Sequence, residues 1–220
     1  MSAMVLFQII SFIAAICVHE AAHAFTAYKC GDTTAYDEGR VSLNPLNHLD
    51  PFGTVVLPII LLITNSPFMF GWAKPVPIDP RNLNDPKTDE YWISLAGPLS
   101  NFSLAVLFGI FIRLMARYGD SLVAGNIISY DMGVNFINFS MVMISTNLIL
   151  CIFNLIPIPP LDGFNVLRSM LPDDLYENIN VPPGIGFIMF IVLMTSGVTD
   201  TIINAFYSPV FHFLIGQAAK

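Results

Sequence analysis

The sequence predicts an all-α polytopic membrane protein. Of its 220 residues, 55% are hydrophobic and 11% are charged, and the mean hydropathy is +0.67. A typical soluble domain is about 25% charged, so the composition excludes a soluble enzyme. Nine basic residues stand against sixteen acidic ones. Because no basic cluster accompanies that acidic excess, nucleic acid is also excluded as a partner.

Long apolar stretches predict about five to six membrane segments. The segments at 92–112 and 132–158 contain no charged residue, and at 1.5 Å per residue each can cross a hydrocarbon core about 30 Å thick. The last two stretches nearly abut and predict a tight helical hairpin over 181–216. We expect a single domain over 1–220, with its core at 4–170. The six apolar stretches cover residues 4–28, 52–70, 92–112, 132–158, 181–199 and 201–216.

The polar connections between these stretches predict irregular structure. Residues 29–51 contain glycines, prolines and the sequence Gly-Arg-Val-Ser-Leu at 39–43, which predicts a short strand pair or a structured loop. Residues 71–90 are rich in proline, with Pro75, Pro77, Pro80 and Pro86, and Pro67 lies just before them. Since proline cannot continue a helix, this part of the chain is expected to run extended.

The clearest chemical signal is His19-Glu20-Ala21-Ala22-His23 inside the first apolar stretch. Ionisable residues are costly in a membrane helix, so their default interpretation is functional. Residues i and i+4 share one helix face, which lets His19 and His23 bind one metal ion. Neutral imidazoles suit Zn²⁺, and Glu20 is placed to take a proton from water as general base.

A catalytic zinc site needs a third protein ligand, and Asp162 is the candidate. It follows a long apolar stretch that Pro157, Pro159 and Pro160 interrupt. Asp162 is therefore expected on unwound backbone that lines a cavity. His48 lies in a polar loop, while His212 stands alone in the last apolar stretch and is expected to be structural.

Five motifs in order give the chain a resemblance to the site-2 protease family of intramembrane zinc metalloproteases, in a compact prokaryotic form. They are HEAAH at 19–23, SLNPLNHLDPFG at 42–53, FGWAKPVP at 70–77, AGPLSN at 96–101 and NLIPIPPLDG at 154–163. The resemblance implies that His19, His23 and Asp162 hold one zinc ion per chain and that Glu20 is the catalytic base. It makes Asn101, Asn154 and His48 candidate contacts to substrate or transition state. Interhelical hydrogen bonding is the open alternative for the two asparagines. The 220 residues leave no room for a PDZ or CBS domain.

The metal site constrains the topology. His19 and His23 lie near the end of the first helix and Asp162 just past the end of a later one, so both helices must end on the same side of the membrane. An odd number of crossings then separates them, and the 52–70 segment is expected to re-enter rather than cross. That arrangement leaves seven Lys and Arg on one side and two, Arg113 and Arg117, on the other. By the positive-inside rule the N-terminus is outside and the zinc site lies near the cytoplasmic face of a prokaryotic cell membrane.

The function expected from these features is hydrolysis of peptide bonds within or next to transmembrane helices. The partners are then a transmembrane protein or peptide substrate and the lipid bilayer, with the oligomeric state left open. The strand-like stretch at 39–43 is a candidate for holding an unwound substrate by strand addition. Two alternatives stay open: a catalytically silent relative that binds a membrane partner, and a metal transporter that uses the same ligands.

Overall fold

The computed structural model describes residues 3–56, 60, 63, 73–179 and 181–216, and its regular structure is helical. Eight α-helices occur in these residues. The long ones are α1 (Ala3–Lys29), α3 (Pro86–Ala124), α4 (Tyr130–Asn154) and α8 (Val198–Ile215). The shorter ones are α2 (Thr34–Asp37), α5 (Asp162–Ser169), α6 (Asp173–Asn178) and α7 (Pro183–Thr195).

Three of the described helices, α1, α3 and α4, are long and apolar enough to cross a membrane, and a fourth span is formed if α7 and α8 count as one broken helix. The predicted five to six segments are therefore not confirmed. The predicted re-entrant segment at 52–70 lies largely outside the described residues. Its start belongs to a π-helical turn at Pro51–Val56.

Local signals explain where the two central helices begin and end. Helix α3 begins at Pro86, six residues before the predicted segment, because Asp85 accepts a hydrogen bond from the Thr88 amide and caps it. Helix α4 begins after Ser129, which caps it in the same way. It ends at Asn154 rather than at 158, since the prolines that follow cannot continue a helix.

Helices α1, α3 and α4 pack against one another, and α8 packs against α3 and α4. One buried cluster joins α3, α4 and α8 through Ala105, Ile112, Ile144, Leu148, Leu214 and Ile215. A second cluster seats α7 on the chain that follows α4, through Ile156, Leu161, Phe190 and Leu193.

The predicted helical hairpin at 181–216 is wrong in its geometry. Helices α7 and α8 do occupy this region, but their axes differ by only 68°, so the chain bends instead of folding back. The bend falls at Gly197, whose φ of +74° lies in the left-handed region that glycine adopts without steric cost. Arg113 fixes the far end of α8 by donating to the carbonyl oxygens of Phe213 and Leu214.

The predicted strand at 39–43 is also wrong, and the alternative, a structured loop, is what the residues form. The loop is held by His48, whose ring contacts the Ser42 carbonyl at 2.6 Å. One isolated antiparallel bridge joins Leu49 to Ala73. It cannot extend into a ladder along 73–78, because Pro75 and Pro77 have no N–H to donate. The proline-rich segment, expected to run extended, forms no helix over 73–79, but it turns at Pro80–Asn82 and enters α3 at Pro86.

The helices place the basic residues unequally. Helix α1 ends beside the start of α3, where the Asn84 amide donates to the Cys30 carbonyl at 3.0 Å. Of the eight Lys and Arg in the described residues, only Arg113 and Arg117 lie towards the opposite end of α3. The other six are Lys29, Arg40, Lys74, Arg81, Lys87 and Arg168.

Candidate metal centre

His19 and His23 lie one turn apart on α1 and meet at their ring edges. Each residue is 7% exposed, and their Nε2 atoms are 3.0 Å apart. The rings are nearly perpendicular, at 83°. The i, i+4 spacing on a helix thus brings two imidazole nitrogens to one point.

Asp162 completes this cluster from the first residue of α5. Its Oδ2 lies 3.1 Å from His19 Nε2 and 3.4 Å from His23 Nε2. Gly163 makes the approach possible, because a Cβ there would stand 2.7 Å from the Ile156 carbonyl oxygen. Only glycine lets α5 pack this tightly against the chain leaving α4.

The outer nitrogens of both rings are occupied by acceptors. His19 Nδ1 lies 2.7 Å from Asn101 Oδ1, and His23 Nδ1 lies 2.6 Å from the Ile93 carbonyl oxygen. A neutral imidazole that donates from Nδ1 presents a bare lone pair at Nε2. The inner atoms are then two nitrogen lone pairs and a carboxylate oxygen, which repel one another unless a cation lies between them.

These residues fit a divalent metal ion. Asp162 Oδ2 is buried without a hydrogen-bond partner among the described residues, and the three ligand atoms lie within 4.8 Å of one another. Two imidazoles and one carboxylate form a ligand set that suits a catalytic metal and leaves a coordination position open. Hydrogen bonds at both Nδ1 atoms orient the rings, as is usual for metal-binding histidines.

Gly97 of α3 allows the helix backbone to approach the two imidazoles. A Cβ at this position would stand 2.6 Å from Cε1 of His19 and 2.6 Å from Cε1 of His23. Real Cβ atoms do not come this close, so any larger residue would displace the rings. The glycine of the AGPLSN motif therefore has a packing role at the metal centre.

A cavity of about 610 Å³ opens beside the cluster. Glu20 lines it and is half-buried, and its carboxylate has no hydrogen-bond partner in the part of the chain that the structure describes. Ile78 of the proline-rich segment and Phe190 of α7 line other walls of the cavity. The cavity is thus large enough for several residues of a peptide, with a free carboxylate next to the candidate metal ligands.

The three further candidates from the sequence differ in position. Asn154 lines the cavity, and its Nδ2 donates to the Leu150 carbonyl. Asn101 is fully buried behind His19, so it is a neighbour of a metal ligand and not a residue of the cavity wall. His48 is also fully buried. Its ring bonds within its own loop, and among the described residues it is absent from the cavity lining. The structure thus places Asn154 at the cavity, and Asn101 and His48 away from it.

An ion pair fastens α5 to α3 beside the centre. Arg168 of α5 contacts Glu90 of α3, and its guanidinium lies 5.1 Å from the ring centroid of Tyr176. Burial, together with the neighbouring Glu90 carboxylate, raises the pKa of Tyr176 to about 12. The phenol is therefore neutral at physiological pH. Helix α5 is held at its first residue, where Asp162 contacts His19, and near its end by the pair between Arg168 and Glu90.

Two buried groups at the centre were missed from the sequence. The Ile93 carbonyl carries no sequence signal, because any residue supplies one. Asn147, in the middle of α4, contacts Asn101 at 2.9 Å and is fully buried. Asn147 is one of several polar residues in its apolar stretch, and nothing in the sequence singles it out or identifies a partner on another helix.

A bundle of apolar helices that carries an HExxH sequence, with a distant carboxylate as the third ligand, defines a membrane-embedded metalloprotease class. The model of Peptidase family M50 matches residues 123–196. The chain is 37% identical over 190 residues to "Putative zinc metalloprotease YwhC" of Bacillus subtilis, covering 86% of this chain and 80% of that protein. It is 29% identical over 205 residues to "Putative zinc metalloprotease Rip2" of Mycolicibacterium smegmatis, covering 93% and 71%. The chain therefore belongs to peptidase family M50, the site-2 protease family.

A second Rip2 relative, from Mycobacterium tuberculosis, is 28% identical over 163 residues, which covers 74% of this chain and 56% of that protein. No solved structure matches the chain. The family match and the apolar helices agree on an integral membrane protein of metalloprotease type.

Proposed function

We propose that this chain is an intramembrane zinc metalloprotease that hydrolyses peptide bonds within or next to transmembrane helices. One observation carries the proposal: His19, His23 and Asp162 converge on one point, and Glu20 faces the adjoining cavity. The relatives named as zinc metalloproteases support zinc as the ion. One chain supplies all three ligands, so one zinc per chain is expected.

The chain's own residues divide the work of hydrolysis. Zinc held at this site would supply Lewis-acid chemistry, polarising a peptide carbonyl and acidifying water. His19, His23 and Asp162 hold the ion and are themselves held by Asn101, Ile93 and the helix α5. Glu20 takes a proton from water and later delivers it to the leaving amine.

The substrate must reach this centre in an extended form, because a helix shields its peptide bonds. The cavity is bordered by the irregular strip at 73–78 and by α7. We therefore expect a transmembrane substrate to unwind next to these walls. A substrate clamp by strand addition at 39–43 loses its support, since those residues form no strand.

Replacement of Glu20 by Gln tests the proposed activity without a guessed substrate. Neo-N-termini are profiled in membranes from cells that produce the wild type or Glu20→Gln. We expect cleavage sites next to transmembrane helices in the wild type and a loss of about 10²–10⁴-fold in Glu20→Gln, with zinc content unchanged. A silent scaffold would give identical profiles, and a transporter would lose transport only by degree.

We further propose that the centre lies near the cytoplasmic face of a prokaryotic cell membrane. The support is that six of the eight described basic residues lie at the end where α1 ends and α3 begins. In a background without Cys17, Cys30 and Cys151, Lys87→Cys is expected to react with an impermeant thiol reagent only after lysis. Asn126→Cys, in the turn after α3, is the matched control and is expected to react in intact cells. Labelling of Lys87→Cys from outside would contradict the orientation.

A further inference from the structure

Two asparagines are buried where α1, α3 and α4 meet. Asn101 of α3 and Asn147 of α4 are each 0% exposed, and they contact each other at 2.9 Å. An amide buried among apolar helices must find partners for both its oxygen and its nitrogen. The partners of this pair determine how each amide is turned.

The orientation of both amides follows from two backbone carbonyls. Asn147 Nδ2 donates to the Met143 carbonyl at 2.9 Å, so Asn147 Oδ1 is the atom that faces Asn101. Asn101 Nδ2 donates to that oxygen and to the Ala15 carbonyl at 3.0 Å. Carbonyl oxygens only accept, and so neither amide can turn over without placing oxygen against oxygen.

The amide oxygen of Asn101 faces the metal centre. Asn101 Oδ1 lies 2.7 Å from His19 Nδ1, and an amide oxygen requires the ring proton to be on Nδ1. His19 Nε2 is then the free lone pair, and it points at Asp162 and His23. If Asn101 were turned over, its NH₂ would select the opposite tautomer, which carries its proton on Nε2 and cannot bind a metal ion through that atom.

We propose that Asn147 is a positioning residue that acts through Asn101 to hold His19 in the tautomer and orientation that bind the metal ion. The inference rests on the proposed function for the identity of the ion. It gives α4 a role at the centre, although the three ligands come from α1 and α5. His23 needs no such relay, because the Ile93 backbone carbonyl fixes it directly.

A double-mutant cycle on zinc affinity tests the relay. The zinc dissociation constant of the purified full chain is measured by chelator competition for the wild type, Asn101→Leu, Asn147→Leu and the double variant. We expect Asn101→Leu to weaken binding about 10–100-fold and Asn147→Leu to weaken it less, since the Ala15 carbonyl still holds the Asn101 amide. The double variant should match Asn101→Leu alone, because Asn147 acts only through Asn101.

Ser140→Ala is the matched control. Ser140 is a buried polar residue of α4, two turns from Asn147, and it donates to the Phe136 carbonyl of its own helix. We expect wild-type zinc affinity in this variant. A purely structural role for Asn147 would instead lower the thermal stability of Asn147→Leu and leave its zinc affinity unchanged.

Two further measurements keep the test decisive if Asn147→Leu does not fold. Asn147→Asp, as the neutral acid that burial among apolar helices favours, keeps an oxygen towards Asn101 Nδ2 and a hydroxyl that donates to the Met143 carbonyl. It should therefore bind zinc within a few-fold of the wild type. The visible spectrum of the Co²⁺-substituted protein should change in Asn101→Leu and stay unchanged in Asn147→Asp and Ser140→Ala. Wild-type affinity in Asn147→Leu, multiplying effects in the double variant, or loss of binding in Asn147→Asp would overturn the relay. Absence of zinc binding by the wild type would overturn the proposed function as well.

Discussion

Gly97 is the residue on which the closest packing at the metal centre depends. Its missing side chain leaves room for the imidazoles of His19 and His23, each of which would lie 2.6 Å from a new Cβ. In Gly97→Ala the rings must separate, so we expect the zinc content per purified chain to fall well below one. The loss should appear even though alanine stabilises the interior of a helix by about 0.5–1 kcal/mol relative to glycine.

Gly119→Ala is the matched control on the same helix. Among the described residues, a Cβ at Gly119 would meet only the Met115 Cε atom, at 3.8 Å, which is an ordinary contact. Zinc content measured by metal analysis should equal that of the wild type in this variant. Full zinc content in Gly97→Ala would show that the rings can yield without losing the ion.

The residues of the centre were predictable to different degrees. His19, Glu20 and His23 could be identified because helix geometry alone places residues i and i+4 on one face. Asp162 could be identified as the third ligand because it follows a long apolar stretch that prolines interrupt. The role of Asn101 could not be derived, since its neighbours belong to α1 and α4, and a sequence pattern does not tell whether an amide faces a cavity or the back of a ligand.

At the scale of elements, the position of α5 is set by an ion pair with α3. Arg168 and Glu90 are partly buried, with side chains 24% and 20% exposed, and α5 begins with Asp162. In Glu90→Gln the guanidinium loses its charged partner, so we expect the free energy of unfolding to fall by about 1.5–3 kcal/mol. Zinc affinity should fall too, because α5 also carries a ligand. Denaturant unfolding in detergent and chelator competition measure the two effects.

Asp173→Asn provides the comparison for this prediction. It breaks the neighbouring pair between Lys87 and Asp173, in which Asp173 is 83% exposed. Exposed pairs contribute about 0–1 kcal/mol, and α6 carries no ligand, so both measurements should stay near wild type. Equal losses in the two variants would mean that the Glu90 pair has no special role.

The elements themselves were predicted where a local signal exists. Apolar stretches located α1, α3 and α4, while the end of α4 came four residues earlier than the predicted 158. The strand at 39–43 was predicted wrongly because a strand depends on a partner, and the one bridge nearby joins Leu49, not 39–43, to Ala73. The bend between α7 and α8 was missed because one left-handed glycine gives either a reversal or a shallow turn.

At the scale of the whole molecule, the metal centre joins parts of the chain that lie far apart in sequence. Helices α1 and α4 both end where α3 begins, so His19 and Asp162 meet after a single long intervening helix in the described residues. The odd number of crossings expected from the sequence stays a prediction, because most of 57–72 lies outside the described residues. Six of the eight described basic residues lie at the end of the bundle where α1 ends and α3 begins, and Arg113 and Arg117 lie towards the other end.

A metal ion at this centre would link α1 to α5 and therefore stabilise the whole bundle. A ligand that binds only the folded state adds about 2.7 kcal/mol at a free concentration of 100 times its dissociation constant. We expect removal of zinc by a chelator to lower the thermal midpoint of the wild type and of His212→Ala, whose exposed ring contacts Ser208 within α8. His23→Ala should show the same midpoint with and without chelator. A chelator-sensitive midpoint in His23→Ala would place the stabilising ion elsewhere in the protein.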